Sequence, residues 1–227
     1  MSIFNDWAKQ FTELFQKFPQ NVQDIIASPM SIITLIGCLL LLIVLVKVKK
    51  INFTPQLIAR IGMALALATI LKMLRLYHFP QGGSITLGSM IPILLIAFMY
   101  GPRVGYLTGF LYGIITLIMD PYILHPVQVL FDYPLPFMAL GLAGIFKDKR
   151  LLGTILAVFV RFMCHFISGV AFFGSFAPEG VSPMIYSLLV NGPMVGIEGI
   201  ICIVILAALP VDRIMYASSN NAVSVNS

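Results

Sequence analysis

The chain has 227 residues, of which 59% are hydrophobic and only 10% are charged, and its formal net charge is +5. Soluble domains do not carry this balance, so the composition predicts an integral membrane protein. In such a protein a positive net charge indicates basic cytoplasmic loops, not nucleic-acid binding. The three cysteines all lie in apolar runs, which excludes a disulfide framework.

The N-terminal segment, residues 3–18, places apolar residues three or four positions apart and polar residues between them. This spacing predicts an amphipathic helix with an aromatic edge, suited to lying in the membrane interface. We expect Pro19 to end this helix, because proline lacks the backbone donor that a helix interior needs.

Seven apolar segments follow, and each has close to the roughly 17 to 25 residues that span the hydrocarbon layer as a helix. The segments are 30–46, 55–74, 84–100, 103–119, 128–146, 151–173 and 184–209. No long linker divides them, which indicates one all-α membrane domain.

Basic residues predict how the chain is oriented in the membrane. Clusters of Lys and Arg at 47–50 and 147–150 follow the first and fifth segments, whereas the breaks near 80, 122 and 179 hold no Lys or Arg. Cytoplasmic loops carry an excess of Lys and Arg. We therefore expect a cytoplasmic C-terminus, an N-terminus outside, and outward-facing alternate loops.

Several ionisable residues lie in or beside these segments, at a cost of about 2.5–3.5 kcal/mol each on insertion scales. Arg60, Lys72 and Arg75 are near segment ends, where their side chains can reach the interface. Arg161 and Glu198 fall near mid-membrane in different segments. We expect these two to form an ion pair with a structural role, which we favour over ligand contact.

Four polar residues from three segments share a depth in the outer half of the membrane: Asp132, His165, Tyr186 and Asn191. A carboxylate, an imidazole, a phenol and an amide at one level predict an outward-opening pocket for a small polar ligand. Ser168 and Gly169 share a helix face with His165, and Gly169 leaves room for a close approach to the backbone.

Small residues recur four positions apart at two places. Gly62 with Ala66, and Gly105 with Gly109 and Gly113, allow helices to approach closely. We expect the Gly105 series to pack inside the bundle, while the Gly62 pair could equally face another membrane protein. The chain contains neither a phosphate-binding loop nor zinc-protease or serine-hydrolase motifs. Active transport would therefore draw its energy from a gradient or from partner subunits.

Five ordered stretches carry a resemblance to a known family. "GGSITLGSMIPILLIAF", "YILHPVQVLFDYPLPFMALGLAGIF", "RFMCHFISGVAFF", "FAPEG" and "YSLLVNG" resemble the thiamine-specific S component of energy-coupling-factor (ECF) transporters, the ThiT/YuaJ family. The resemblance runs from about residue 55 to 210. It implies a six-helix S-component bundle at 51–212. Residues 1–50 would add the amphipathic helix and an extra N-terminal transmembrane helix, and 213–227 a disordered cytoplasmic tail.

The resemblance also implies roles for particular residues. Asp132 stands where the family has an acidic residue that pairs with the aminopyrimidine, although some members carry Glu there. Phe173 stands where some members carry Trp. The remaining ligand contacts that the resemblance implies are His165, Gly169, Tyr122, Tyr133, Tyr186 and Asn191, and Ser168 is expected to join them because it shares a helix face with His165. Gly62 and Ala66 stand where small residues contact the coupling subunit.

The partners that the resemblance implies are thiamine, a transmembrane coupling subunit and two cytoplasmic ATPases, which alone would bind ATP. No cofactor or metal of the chain's own is expected. Alternatives remain open from the residues themselves: a membrane enzyme that uses His165 and Asp132 as acid and base, an assembly subunit, or a binder of a thiamine phosphate or a pyrimidine precursor.

Overall fold

The computed structural model describes residues 2–27, 51–80 and 82–213, together with 29, 32, 33, 36–40 and 43. Its helices are α1 (Ser2–Ala27), α2 (Pro55–Met73), α3 (Ile91–Tyr100), α4 (Pro102–Met119), α5 (Pro126–Asp132), α6 (Pro134–Ala139), α7 (Arg150–Phe172) and α8 (Pro183–Ala208). Two 3₁₀ turns cover Leu140–Ile145 and Gly174–Phe176, and two short strands are β1 (Arg75–His78) and β2 (Ser84–Thr86).

The described residues form a mostly helical membrane bundle, which confirms the helical membrane class that the sequence predicts, with one short two-stranded hairpin added. Within them, five helical segments are long and apolar enough to cross a membrane, and α3 is a shorter apolar helix. The five are Pro55–Met73, Pro102–Met119, Pro126–Ile145, Arg150–Phe172 and Pro183–Ala208. Most of the predicted extra span at 30–46, and the tail beyond 213, lie outside the described residues.

Helix starts are encoded locally by a capping residue followed by proline. Thr54 accepts a hydrogen bond from the Leu57 amide before α2, and Ser182 accepts one from the Ile185 amide before α8. Each cap satisfies a backbone donor that the first helical turn leaves free, and the proline that follows has no such donor to satisfy.

Helix α1 does not end at Pro19, which was the sequence prediction, but continues to Ala27 with the proline inside it. The segment beyond the proline is held by tertiary contacts: the Asn21 amide donates to the carbonyls of Ile118 and Met119, at the end of α4. Near the other end of α1, the Trp7 indole donates to the Arg75 carbonyl at 3.3 Å. Helix α1 therefore lies against the ends of α2 and α4, beside the hairpin that β1 and β2 form.

The prediction that residues 84–100 cross the membrane as one continuous helix is wrong. Residues 84–86 form β2, which pairs antiparallel with β1, and only 91–100 are helical. Gly82, Gly83 and Gly88 adopt positive φ angles of 81–86°, a conformation that other residues rarely take. Non-helical backbone at membrane depth is tolerated where protein covers it or where it lines a cavity, and β2 is buried throughout.

The predicted span at 128–146 is also interrupted, because α5 ends at Asp132, α6 begins at Pro134, and a 3₁₀ turn follows. Proline cannot continue the α-helical hydrogen bonding across this point. The broken segment packs closely on α4, where a Cβ on Gly109 or Gly113 would collide with the backbone of 133–138. The glycine series of α4 therefore packs inside the bundle, as the sequence predicts.

Candidate functional site

A cavity opens between the β1–β2 turn, the end of α4, and helices α5, α7 and α8. Its lining includes eight of the nine residues predicted to bind the ligand: Tyr122, Asp132, Tyr133, His165, Gly169, Phe173, Tyr186 and Asn191. The ninth, Ser168, is fully buried but is not among the lining residues. Side chains from elements far apart in the chain thus meet at one place.

Asp132 and His165 form the central polar pair of the cavity. The His165 Nδ1 lies 3.3 Å from Asp132 Oδ1, and the Gln128 amide donates to Asp132 Oδ2 at 2.6 Å. Both carboxylate oxygens are thereby oriented by neighbours. Among the residues that the structure describes, none bonds to the other imidazole nitrogen, His165 Nε2, although this atom is buried.

Gln128 is a site residue that the sequence analysis missed. Its buried side chain accepts from the Leu124 amide at 3.0 Å and donates to both the Tyr122 carbonyl and Asp132. One amide therefore ties the loop before α5 to the carboxylate at the end of α5. The signal available in the sequence was a Gln one helical turn before Asp132 on the same face of an apolar segment.

The wall from α8 is built from Ser187 and Asn191, which join α8 to α7. The Asn191 amide nitrogen donates to the His165 carbonyl at 3.2 Å and to the Ser187 hydroxyl at 3.1 Å, while that hydroxyl donates to the Phe166 carbonyl. The nitrogen of Asn191 is thus used between the helices. We expect its side-chain oxygen to be the atom that meets a ligand.

Gly169 permits the close contact between α7 and α8. A Cβ at this position would overlap the Ser187 hydroxyl and come within 2.7 Å of the Asn191 side-chain nitrogen. The space at Gly169 is therefore occupied by α8. This close packing sets the positions of Ser187 and Asn191 at the cavity wall.

Aromatic rings form the cavity wall on the side of the hairpin turn. Tyr122 stacks on Phe173 with ring centroids 5.7 Å apart and an angle of 24°. The Tyr133 hydroxyl donates to the Asp120 carbonyl and accepts from the Tyr122 amide, both at 2.8 Å. Tyr133 thus holds the loop that carries Tyr122. Gly82 of the hairpin turn lies against the Tyr122 side chain, where a Cβ would come within 3.3 Å.

Arg161 and Glu198, the expected ion pair, are brought together at the cavity lining with 3.6 Å between Arg161 Nη2 and Glu198 Oε2. Glu198 also accepts hydrogen bonds from the hydroxyls of Thr86 and Ser89. The Arg161 guanidinium lies over the Phe137 ring, 4.1 Å from its centroid.

Lys72 and Arg75 do not simply reach toward the interface, as their places near a segment end predict. Lys72 lines the cavity, and Arg75 pairs with Asp120 at 3.3 Å. His78, in β1, also faces Asp120 at 3.9 Å. Burial lowers the pKa of His78, and its Nδ1 forms a hydrogen bond with the Ser84 hydroxyl at 2.9 Å.

Charged side chains of both signs line the cavity. Its described lining holds three carboxylates, Asp120, Asp132 and Glu198, and two cations, Lys72 and Arg161, while Arg75 pairs with Asp120 from outside the lining. In the part of the chain that the structure describes, no group of His, Cys, Asp and Glu side chains has the arrangement of a metal site.

Gly62 and Ala66 lie away from the cavity, on an exposed face of α2. A Cβ on Gly62 would have no described atom within 4 Å. The flanking side chains Met63, Leu67 and Ile70 are exposed as well. The sequence left open whether Gly62 and Ala66 pack inside the bundle or face another membrane protein. Against the described residues, they do not pack inside the bundle.

The family model of the thiamine transporter proteins (Thia_YuaJ) matches residues 58–217. The chain belongs to this family. It is a multi-pass membrane protein of a family of transporters, not of enzymes. Residues 1–57, including α1, lie outside the matched part.

Similar proteins agree with membership of the thiamine transporter family. A protein named thiamine transporter ThiT from Bacillus subtilis (strain 168) is 38% identical over 179 residues, covering 70% of this chain and 93% of that protein. A ThiT from Lacticaseibacillus paracasei is 28% identical over 175 residues, covering 68% and 87%. The solved structure of ThiT from Listeria monocytogenes superposes with a TM-score of 0.58 at 25% identity, covering 68% of this chain and 94% of that one.

Proposed function

We propose that this chain is the thiamine-binding S component of an ECF-type importer, which captures thiamine in the cavity for ATP-driven uptake by partner subunits. The observation that carries the proposal is the Asp132–His165 pair, which lines the cavity and is oriented by Gln128. The family and the names of the relatives support thiamine as the ligand.

Thiamine has an aminopyrimidine ring and a thiazolium cation, and the cavity offers a complement to each. The amino group can donate to the Asp132 carboxylate, a charge-assisted hydrogen bond that also offsets the desolvation of the carboxylate. The thiazolium can lie against the stacked Tyr122 and Phe173 rings, whose faces attract a cation.

The exposed Gly62 and Ala66 face of α2 is the proposed contact with the coupling subunit. Small residues let a helix from another membrane protein approach closely and gain van der Waals contact. ATP would be bound by the two ATPase subunits of the transporter. The cavity would open to the outside of the cell membrane and the C-terminus would lie in the cytoplasm, as the distribution of Lys and Arg predicts.

Calorimetric titration of the purified chain with thiamine tests the ligand. Thiamine monophosphate, thiamine diphosphate and the free hydroxymethyl aminopyrimidine, which lacks the thiazolium, serve as competing candidates. We expect thiamine to bind more tightly than the free pyrimidine, because the pyrimidine has no cation for the aromatic wall. Tighter binding of the pyrimidine would instead indicate a precursor-specific S component.

A further inference from the structure

Helix α1 lies outside the part of the chain that the family model matches, 58–217, and the proposed function gives it no role. It is nevertheless bonded to the bundle at two separate points. The Trp7 indole donates to the Arg75 carbonyl at 3.3 Å, and the Asn21 amide donates to the Met119 carbonyl at 3.1 Å. Asn21 follows Trp7 by roughly four helical turns, so α1 reaches from the start of β1 to the end of α4.

The two points to which α1 is bonded belong to elements that form one wall of the cavity. Arg75 begins β1, and its guanidinium pairs with Asp120 at 3.3 Å. Asp120 directly follows Met119 and lines the cavity. Gly82 and Gly83, in the turn after β1, line the cavity too. Helix α1 is thus bonded to both of the wall elements that the ion pair joins, and it resists their separation.

Strand β1 is weakly held by its own pairing. The strands have four and three residues, their register is interrupted between Arg75 and Tyr77, and β1 is exposed over its last three residues whereas β2 is buried. A two-stranded hairpin is at best marginally stable by itself. A second cavity lies between α1, β1 and the end of α4, lined among others by Glu13, Lys17 and His78. Close packing therefore does not fix β1 at this place, and directed contacts hold it.

We propose that α1 is a strap, a helix bonded to β1 and to the end of α4, that holds β1 and the turn after it closed and so sets the rate at which the ligand enters and leaves the cavity. Elements with few buried contacts open at the least cost in free energy, and β1 with its turn is such an element. No described residue of α1 lines the cavity, so α1 acts on the position of the wall and not on the ligand. The identity of the ligand rests on the proposed function, whereas the strap rests on the contacts of α1.

The strap has a kinetic signature that a contact with the ligand would not have. Its bonds to the carbonyls of Arg75 and Met119 do not involve the ligand, so they oppose opening of the empty and of the filled cavity alike. Weakening the strap should then raise the rates of association and release by the same factor. The affinity, which is the ratio of the two rates, should stay near its wild-type value.

Exchange kinetics of the full chain in lipid nanodiscs test the proposal. Trp7→Phe keeps an aromatic ring but removes the indole donor, and Asn21→Ala removes the amide. Release is measured by chasing bound radiolabelled thiamine with unlabelled thiamine, and association by rapid mixing and filtration. In the double variant we expect both rates to rise roughly 5-fold or more, as for the loss of two hydrogen bonds.

Thr12→Ala is the matched control on the same helix. The Thr12 hydroxyl donates to the Ala8 carbonyl within α1 and is exposed, so its loss should leave both rates at their wild-type values. Amide hydrogen exchange of the ligand-free protein, read by mass spectrometry, gives a measure that needs no ligand. Exchange over residues 75–80 should be faster in the double variant than in wild type or Thr12→Ala, while exchange in α7 stays the same.

Unchanged rates in the double variant would overturn the strap, and so would unchanged exchange over residues 75–80. Faster release with unchanged association would overturn it as well, because α1 would then stabilise only the filled cavity. Faster hydrogen exchange in α7 too would make α1 a part of the general stability of the fold and would equally refute the proposal. A wild-type chain that does not bind thiamine would contradict the proposed function instead, and the hydrogen-exchange comparison would still decide whether α1 holds β1.

Discussion

Asp132 provides the carboxylate at the centre of the cavity, and its replacement by Asn tests the proposed ligand chemistry most directly. The substitution conserves size but removes the negative charge and replaces one acceptor oxygen by a donor. One carboxylate oxygen lies 3.3 Å from His165 Nδ1 and the other accepts from Gln128 at 2.6 Å. An amide can still accept from Gln128 with its oxygen, but it then turns N–H groups toward His165, so the site loses its negative charge and one of its two acceptor oxygens.

The expected loss of thiamine binding follows from the type of contact. A hydrogen bond to a charged group contributes about 1.5–3 kcal/mol, so Asp132→Asn should weaken binding by ~2 kcal/mol, which is about 30-fold. Titration calorimetry measures it. Asp132→Glu should retain more affinity than Asp132→Asn, because it keeps the carboxylate.

Asp212→Asn is the matched control, since this exposed carboxylate pairs with Arg150 away from the cavity. Thermal unfolding of each variant in detergent separates lost binding from lost folding. Wild-type thiamine affinity in a folded Asp132→Asn protein would remove the carboxylate from the site and refute the reasoning.

Three further outcomes are expected. The chain alone in liposomes should bind thiamine without accumulating it, and radiolabelled uptake should appear only with coupling and ATPase subunits; accumulation by the chain alone would contradict the S-component assignment. Gly62→Leu with Ala66→Leu should leave thiamine affinity near wild type but prevent co-purification with the coupling subunit, because the leucine side chains fill the space on the exposed face of α2. Loss of both thiamine binding and co-purification would show that this face is needed for folding. Retention of both would refute the interface. Gly169→Ala should destabilise the protein by about 1–3 kcal/mol and weaken binding, because its Cβ overlaps the Ser187 hydroxyl; an unchanged melting temperature would show that α8 yields at this point.

Much of the architecture follows from the sequence because membrane spanning is a property of local composition. A run of apolar residues of sufficient length is favoured in hydrocarbon whatever its neighbours are, so most spans could be predicted. The capping residues Thr54 and Ser182 act within their own first turn and are equally local. The shared depth of Asp132 and His165 also follows from span order, and the structure places the two side chains in contact.

Only the tertiary structure decided how the chain departs from regular spans. By sequence, residues 84–90 belong to an apolar helix, yet they form a strand and a loop. β1 pairs with the strand. Glu198 accepts from the hydroxyls of Ser89 and Thr86, which are 109 and 112 positions away in the chain. Pro19 stays inside α1 because Asn21 bonds to the far end of α4. Lys72 reads as an interfacial cation, but the fold turns it to the cavity.

The sequence by itself thus determined the membrane class, most of the spans and four polar residues that the cavity collects, Asp132, His165, Tyr186 and Asn191. It did not determine which of their atoms are already used: the Asn191 nitrogen bonds between helices, the Tyr133 hydroxyl holds a loop, and Glu198 binds two hydroxyls as well as Arg161. Hydropathy and helical spacing report which face of a segment is apolar, whereas the partner of each polar atom depends on segments that meet only when the bundle is packed.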